Sequence, residues 1–128
     1  MERTSAGDLV RRFWQLFDAE EWATAGQLLA DDVIVEWPHS GELIRGRDNV
    51  LALNAEYPGS SRIQVLRVVE GGDSAVASEI EVTNGPDTFW AASFFTISGG
   101  LIRHVREHWV DAPAEARPES RSRYTEQL

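Results

Sequence analysis

The chain contains no cysteine and no lysine. The first absence removes disulfides, thiolate nucleophiles and cysteine-held metals together. The second removes Schiff-base chemistry and the lysine of a Walker-type phosphate loop, and leaves every basic residue an arginine. No apolar run approaches the roughly 20 residues of a membrane span. The opening residues Met1 to Asp8 hold no apolar signal region, so a cytoplasmic location is the expectation. A Gly-x-Ser-x-Gly elbow is missing too, which leaves serine hydrolysis without support. Basic charge is scarce: 12 basic against 21 acidic residues give a net charge of -9. That balance disfavours nucleic acid and anionic membranes as partners. It also disfavours an acidic substrate, unless a local arginine overrides the long-range field.

What is present suits one domain of 128 residues with a real core. Leu9, Val10, Phe13, Trp14, Leu16 and Phe17 recur at helical spacing and predict a helix over 6–20, capped by Ser5 or Asp8. A second helix is expected over 21–30, with Trp22, Ala25, Leu28 and Leu29 inside. Asp31 and Asp32 break the pattern, and Val33 to Trp37 reads as a short strand ended by Pro38. Leu43-Ile44 is a brief extended piece, and Asp48 is the expected cap of a third helix. Longer strands follow at 62–70, 74–83, 87–98 and 101–111, separated by Gly71-Gly72-Asp73, Asn84-Gly85-Pro86-Asp87 and Ser98-Gly99-Gly100. Helices first and a meander last make an α+β signature. The folded domain is placed at 1–111, and 112–128 reads as a polar C-terminal tail, mobile or laid over the surface.

The closing strand carries the most chemistry. One parity of 101–111 holds Leu101, Arg103, Val105, Glu107 and Trp109; the other holds Ile102, His104, Arg106, His108 and Val110. The second is mostly polar and predicts an outer face, so the first faces the core. A carboxylate there is costly unless paired or protonated. Glu107 is therefore either a structural acid with a fixed partner or an acid lining a cavity.

Leu28 to Val33, Trp37-Pro38, Gly41, Gly46-Arg47-Asp48 and the ending Gly100 to Trp109 resemble the SnoaL-like branch of the nuclear-transport-factor-2-like superfamily. The resemblance runs over roughly 6–111 in element order. It implies a cone-shaped α+β roll, with about three N-terminal helices packed in a curved, mostly antiparallel sheet, dimeric through the outer sheet face. Members include polyketide cyclases, isomerases, epoxide hydrolases and plain ligand binders, so fold alone does not settle function. Ketosteroid isomerases use a tyrosine where this chain has Phe13, an aspartate where it has Trp37, and a second aspartate near Ser93. All three groups are absent. Limonene-type epoxide hydrolases need an aspartate-arginine-aspartate set. Glu107 falls on one acid and Glu79-Ile80-Glu81 near the remainder, with no arginine in the middle role.

Those positions mark where a cavity is expected. Phe13, Trp14, Phe17, Trp37, Tyr57, Ala91, Ser93, Phe95 and Trp109 are its candidate ligand-binding residues, with Glu107 and His39 as candidate catalytic groups. An aromatic lining suits a small apolar or cyclic molecule. The competing reading is that the aromatics simply fill the cone. His39 follows the first strand and suits proton exchange near neutral pH, against the reading of a solvated loop histidine. His104 and His108 have a helical metal spacing, but on a strand four residues span about 13 Å, so neither metal nor cofactor is expected. Glu79 and Glu81 are read as outward, paired with Arg103 or Arg106; turned inward they would revive the hydrolase idea. Trp90 takes the outer parity and marks an interface. Three readings stand: a small-molecule isomerase, cyclase or hydratase using Glu107, a non-catalytic ligand-binding or accessory domain, and a purely dimeric interaction module whose aromatics fill the cone.

Overall fold

A computed structural model of the chain describes residues 4–112 and 118–128. Helix α1 (Ala6–Asp18) begins at Ser5, whose hydroxyl accepts the Asp8 amide at 3.0 Å. Its apolar stripe buries Val10, Phe13, Trp14, Leu16 and Phe17. The helix closes with the Glu20 amide on the Phe17 carbonyl (3.1 Å) and the Glu21 amide on the Leu16 carbonyl (2.9 Å). That paired closure requires a left-handed residue, usually glycine, and Glu20 fills it at φ 58°.

Helix α2 is only Trp22–Gly26, shorter than expected, because Leu29 already belongs to strand β1 (Leu29–Trp37). Asp31 and Asp32 do not interrupt that strand. A register irregularity between Leu29 and Ile34 turns both aspartates to solvent while Leu29 and Val33 stay buried. Strand β2 (Glu42–Arg45) pairs back on β1, and α3 (Arg47–Ala55) follows. Its cap is Gly46 rather than Asp48. The chain turns there at φ 90°, which favours glycine, and the Gly46 amide bonds the Val33 carbonyl at 2.8 Å. Asp48 sits inside the first turn, next to the helix's positive end.

Strands β3 (Ser61–Gly71), β4 (Ala75–Asn84), β5 (Asp87–Ser98) and β6 (Leu101–Asp111) complete a curved, unclosed six-stranded sheet, in the order β2-β1-β6-β5-β4-β3. Only the β1–β6 pairing is parallel. The fold is α+β, three N-terminal helices against a mostly antiparallel sheet. Helix α1 is fastened to β3 at both ends. The Gly7 amide donates to Glu70 (2.6 Å), and Asp18 accepts the Ile63 amide (2.7 Å) while pairing with Arg62.

Strand β6 departs from simple alternation near its start. Thr96 pairs with His104 but Ile97 with Ile102, so Arg103 is one residue too many on this side. The bulge sends Ile102, expected outside, into the core at 0% exposure and leaves Arg103, expected inside, exposed. Leu101 is only half-buried. Beyond the bulge the alternation recovers, with Val105 and Glu107 buried and Arg106 and His108 exposed.

In the tail, residues 118–128 form one short helix, α4 (Glu119–Ser122), and bury no side chain. The rest of the expected tail at 113–117, and residues 1–3, lie outside the described residues.

Candidate functional site

Phe13 and Trp14 meet Phe95 with ring centroids 6.0 Å apart, and Phe17 packs on Phe13 and Trp22 at 4.3 and 5.0 Å. This cluster packs helices α1 and α2 together and α1 against β5. Deeper still, the Trp14 indole donates to Ser78 at 3.0 Å, which satisfies both buried polar groups. The aromatics do not fill the whole space. Toward the open end remains a cavity of about 440 Å³, within the range of small-molecule pockets.

Eight of the candidate residues line it: Phe13, Trp14, Phe17, Trp37, His39, Tyr57, Glu107 and Trp109. Ala91, Ser93 and Phe95 do not. Their parity faces inward, but they are buried at 0–2% exposure, Phe95 beneath Phe13 and Trp14 of helix α1 and Ser93 against Glu107. The sequence reading left out Trp22, Phe89, Glu20 and Asp111, which also reach the cavity. Phe89 shares the parity of Ala91 and Ser93, and Asp111 that of Glu107 and Trp109, so both were available from alternation. Glu20 was not, since its position depends on how α1 ends.

Glu107 lies at the centre of the wall, 6% exposed. Three adjacent strands meet on it. The Trp37 indole of β1 donates to Oε1 at 2.9 Å, and the Ser93 hydroxyl of β5 donates to Oε2 at 2.8 Å. The buried Trp109 indole N–H has no partner within hydrogen-bond geometry; it adds to the field on Glu107 without completing a bond. No salt bridge to Glu107 occurs among the described residues. Burial pushes its pKa above the usual carboxylate value; Trp37, Ser93 and Trp109, with His39 at longer range, restrain that rise only in part. The geometry is therefore that of a cavity acid, not of a structural ion pair. His39 is exposed at the mouth, its ring 5.9 Å from that of Trp37.

Glu79 and Glu81 take the outer face, so neither joins Glu107. Glu79 pairs with Arg67 at 3.2 Å rather than with Arg103 or Arg106, because β3 and not β6 is its neighbour on that side. Arg103 instead lies 3.9 Å from Asp32, and Arg106 binds Glu36. Trp90 is half-buried outside, in register with Glu81 and Val110. The same face exposes Phe94, with its ring 6.2 Å from that of His108. Among the described residues no cluster of histidine and acids has the composition to hold a metal.

The SnoaL-like domain family matches residues 10–105. No curated relative matches the chain. Among solved structures it is similar to a candidate ketosteroid isomerase of Kribbella flavida, with 28% identity over 95% of this chain and 88% of that one and a TM-score of 0.85. An NTF-2 like protein of unknown function from Burkholderia xenovorans gives 24% identity, coverage of 94% and 93%, and a TM-score of 0.76. An epoxide hydrolase of limonene-hydrolase-like type from M. tuberculosis gives 23% identity, 82% of each chain and 0.70, a likeness of fold alone. With its helices, its curved sheet and three quarters of its length matched, the chain belongs to the SnoaL-like family within the nuclear-transport-factor-2-like fold.

Proposed function

We propose that the protein binds a small, mainly apolar or cyclic molecule in this cavity and acts on it through Glu107. The observation that carries the reading is a buried carboxylate on the cavity wall, held at both oxygens by donors and, among the described residues, by no cation. An acid whose pKa is raised by burial exchanges protons closer to neutrality. Two reactions suit it: removal of a proton from carbon beside a carbonyl, and removal of a proton from water attacking a strained ring. The ketosteroid-isomerase route is not supported, because Phe13, Trp37 and Ser93 stand where its acid and two aspartates would be. The hydrolase set is not supported either, since Glu79 and Glu81 face outward. His39, at the mouth, is placed to relay a proton to solvent.

The test uses 3-cyclohexenone, whose conjugation is followed in the ultraviolet, and cyclohexene oxide, whose diol is followed by chromatography. Turnover of either above the buffer rate is expected, with loss in Glu107→Gln. Binding of both without turnover would leave the ligand-binding reading alone standing. Failure of both to perturb the tryptophan fluorescence would overturn the pocket assignment.

We also propose a two-fold dimer through the outer sheet face. Exposed Phe94 and Val110 beside Trp90, Arg106 and His108 support it, aromatics and arginine being favoured at interfaces. Sedimentation at micromolar concentration should give twice the chain mass, falling to one in Phe94→Glu. A wild-type monomer there would reject it.

A further inference from the structure

The charges on the cavity wall are of one sign. Glu20, Glu107 and Asp111 line it, His39 is the only group there able to carry positive charge, and no arginine reaches it among the described residues. Four of the arginines on the sheet are engaged elsewhere, Arg62 with Asp18, Arg67 with Glu79, Arg103 with Asp32 and Arg106 with Glu36.

The surroundings of Glu107 add a second, independent observation. Each of its oxygens accepts a hydrogen bond, from Trp37 and from Ser93. The fully buried Trp109 N–H lies in the same wall without an acceptor. Two donors bonded to the oxygens and a third N–H in the same wall favour the ionised carboxylate over the neutral acid, for which the Ser93 hydroxyl is the one acceptor among its hydrogen-bond partners. A buried ionised carboxylate needs a counter-charge, and among the described residues no cation is bonded to it, His39 acting only at longer range. The rest of the wall mixes aromatic rings, Trp37, Trp109 and Phe89 among them, with aliphatic side chains such as Val35, Ile44 and Val105, and aromatic rings attract cations through their faces.

We propose that the cavity selects a cationic ligand, an amine or quaternary ammonium on a ring-sized apolar body, with its charge toward Glu107 and the mouth carboxylates Glu20 and Asp111. This rests on the small-molecule pocket argued above and names the chemical class it takes. The cation supplies the counter-ion that the fold omits, and the aromatic wall receives the ring. A carboxylate ligand of the same size meets three like charges and no arginine.

The experiment titrates three soluble probes of one shape class into the full chain at pH 8, read by calorimetry. They are benzyltrimethylammonium, the near-isosteric neutral alcohol 2-methyl-1-phenylpropan-2-ol, and phenylacetate. The ammonium is expected to bind about tenfold tighter than the alcohol, with phenylacetate weakest. Glu107→Gln should remove most of that preference. Glu20→Gly should weaken the ammonium a few-fold and raise the unfolding midpoint, since glycine adopts the left-handed position without strain. Equal or tighter binding of the alcohol overturns the cation preference and leaves the pocket standing. An ammonium preference untouched by both variants places the cation elsewhere and also overturns it. If none of the three binds, the pocket reading fails and takes this one with it.

Discussion

Glu36 and Glu107 sit on neighbouring strands, on opposite faces of the sheet, and have opposite electrostatic fates. Glu36 of β1 points outward, half-exposed, where His104 bonds one oxygen and Arg106 reaches the other at 2.8 Å. The hydrogen bond to His104 and the charges of His104 and Arg106 outweigh its partial burial and hold its pKa below the usual carboxylate value. Glu107 of β6 points inward and is pushed the other way by desolvation. The two environments are one residue apart along each strand. Glu36 precedes Trp37, the donor to Glu107, and Arg106 precedes Glu107, the acid that no arginine among the described residues reaches. Alternation across a pleated strand therefore sorts the ion pair to one side and the isolated acid to the other. An arginine adjacent in sequence is as good as absent when the sheet lies between.

The largest effect on this contrast is expected from Trp37→Phe, which removes a donor from the buried carboxylate and keeps the ring. Hydrogen bonds to charged groups contribute about 1.5–3 kcal/mol, so a loss of about 2 kcal/mol is expected at pH 8 by urea unfolding. The loss should shrink at pH 5, where more of Glu107 is protonated. An equal loss at both values would assign the effect to packing instead.

Next in size is Glu107→Gln. A buried acid paired with arginine would cost about 3–5 kcal/mol when cut; here the variant should be at least as stable as the parent at pH 8. Because the folded pKa of Glu107 is raised, the stability it contributes is complete below its ordinary value of 4.5 and is lost as pH climbs through the folded value. Glutamine does not titrate, so the variant should gain on the parent as pH rises. A parent that gains on the variant over that rise would refute the assignment.

The smallest effect belongs to Glu36→Gln, with the opposite sign. A lowered folded pKa gives stability that is present above 4.5 and is lost as pH falls through the folded value. The parent's advantage should therefore be slight at pH 7, vanish in acid, and fade in 1 M salt because the group is open to solvent. Persistence in high salt would show that the pair is shielded, as across a dimer interface.

Much of this was legible in the residues, and the limits of legibility are physical. Strand parity put Glu107 inside and Glu79, Glu81 and Trp90 outside, because alternation is a local property of the chain, while Trp37 was placed at the cavity by the family resemblance. Which inward residues meet is not local. Trp37 reaches Glu107 only because β1 runs parallel to β6, a pairing across 70 residues. Depth is not local either, so Ala91 and Phe95 share the parity of the site but are buried short of the cavity, Phe95 under the rings of helix α1. The Arg103 bulge could not be read from β6 alone, since it exists only against the register of β5. Asp48 met the usual preference for a capping side chain, yet Gly46, bonded to β1, fixes where α3 begins.

Strand β6 is the last of the six in sequence but stands third in the sheet, between β1 and β5. A growing chain can form the β3–β4–β5 meander from neighbouring segments, and the β1–β2 hairpin likewise. It cannot join the two until residues 101–111 arrive. Until then the facing edges of β1 and β5 are both unpaired, the state in which strands seek foreign partners. Long-range pairing of this kind is also the slow part of folding. Trp37, Ser93 and Glu107 each ride on a different one of these three strands, so the carboxylate site comes into being in the same event that closes the sheet. A chain stalled before that event carries neither the site nor a protected edge, which makes the carboxylate site a product of the arrival of strand β6 and not a feature of any shorter fragment.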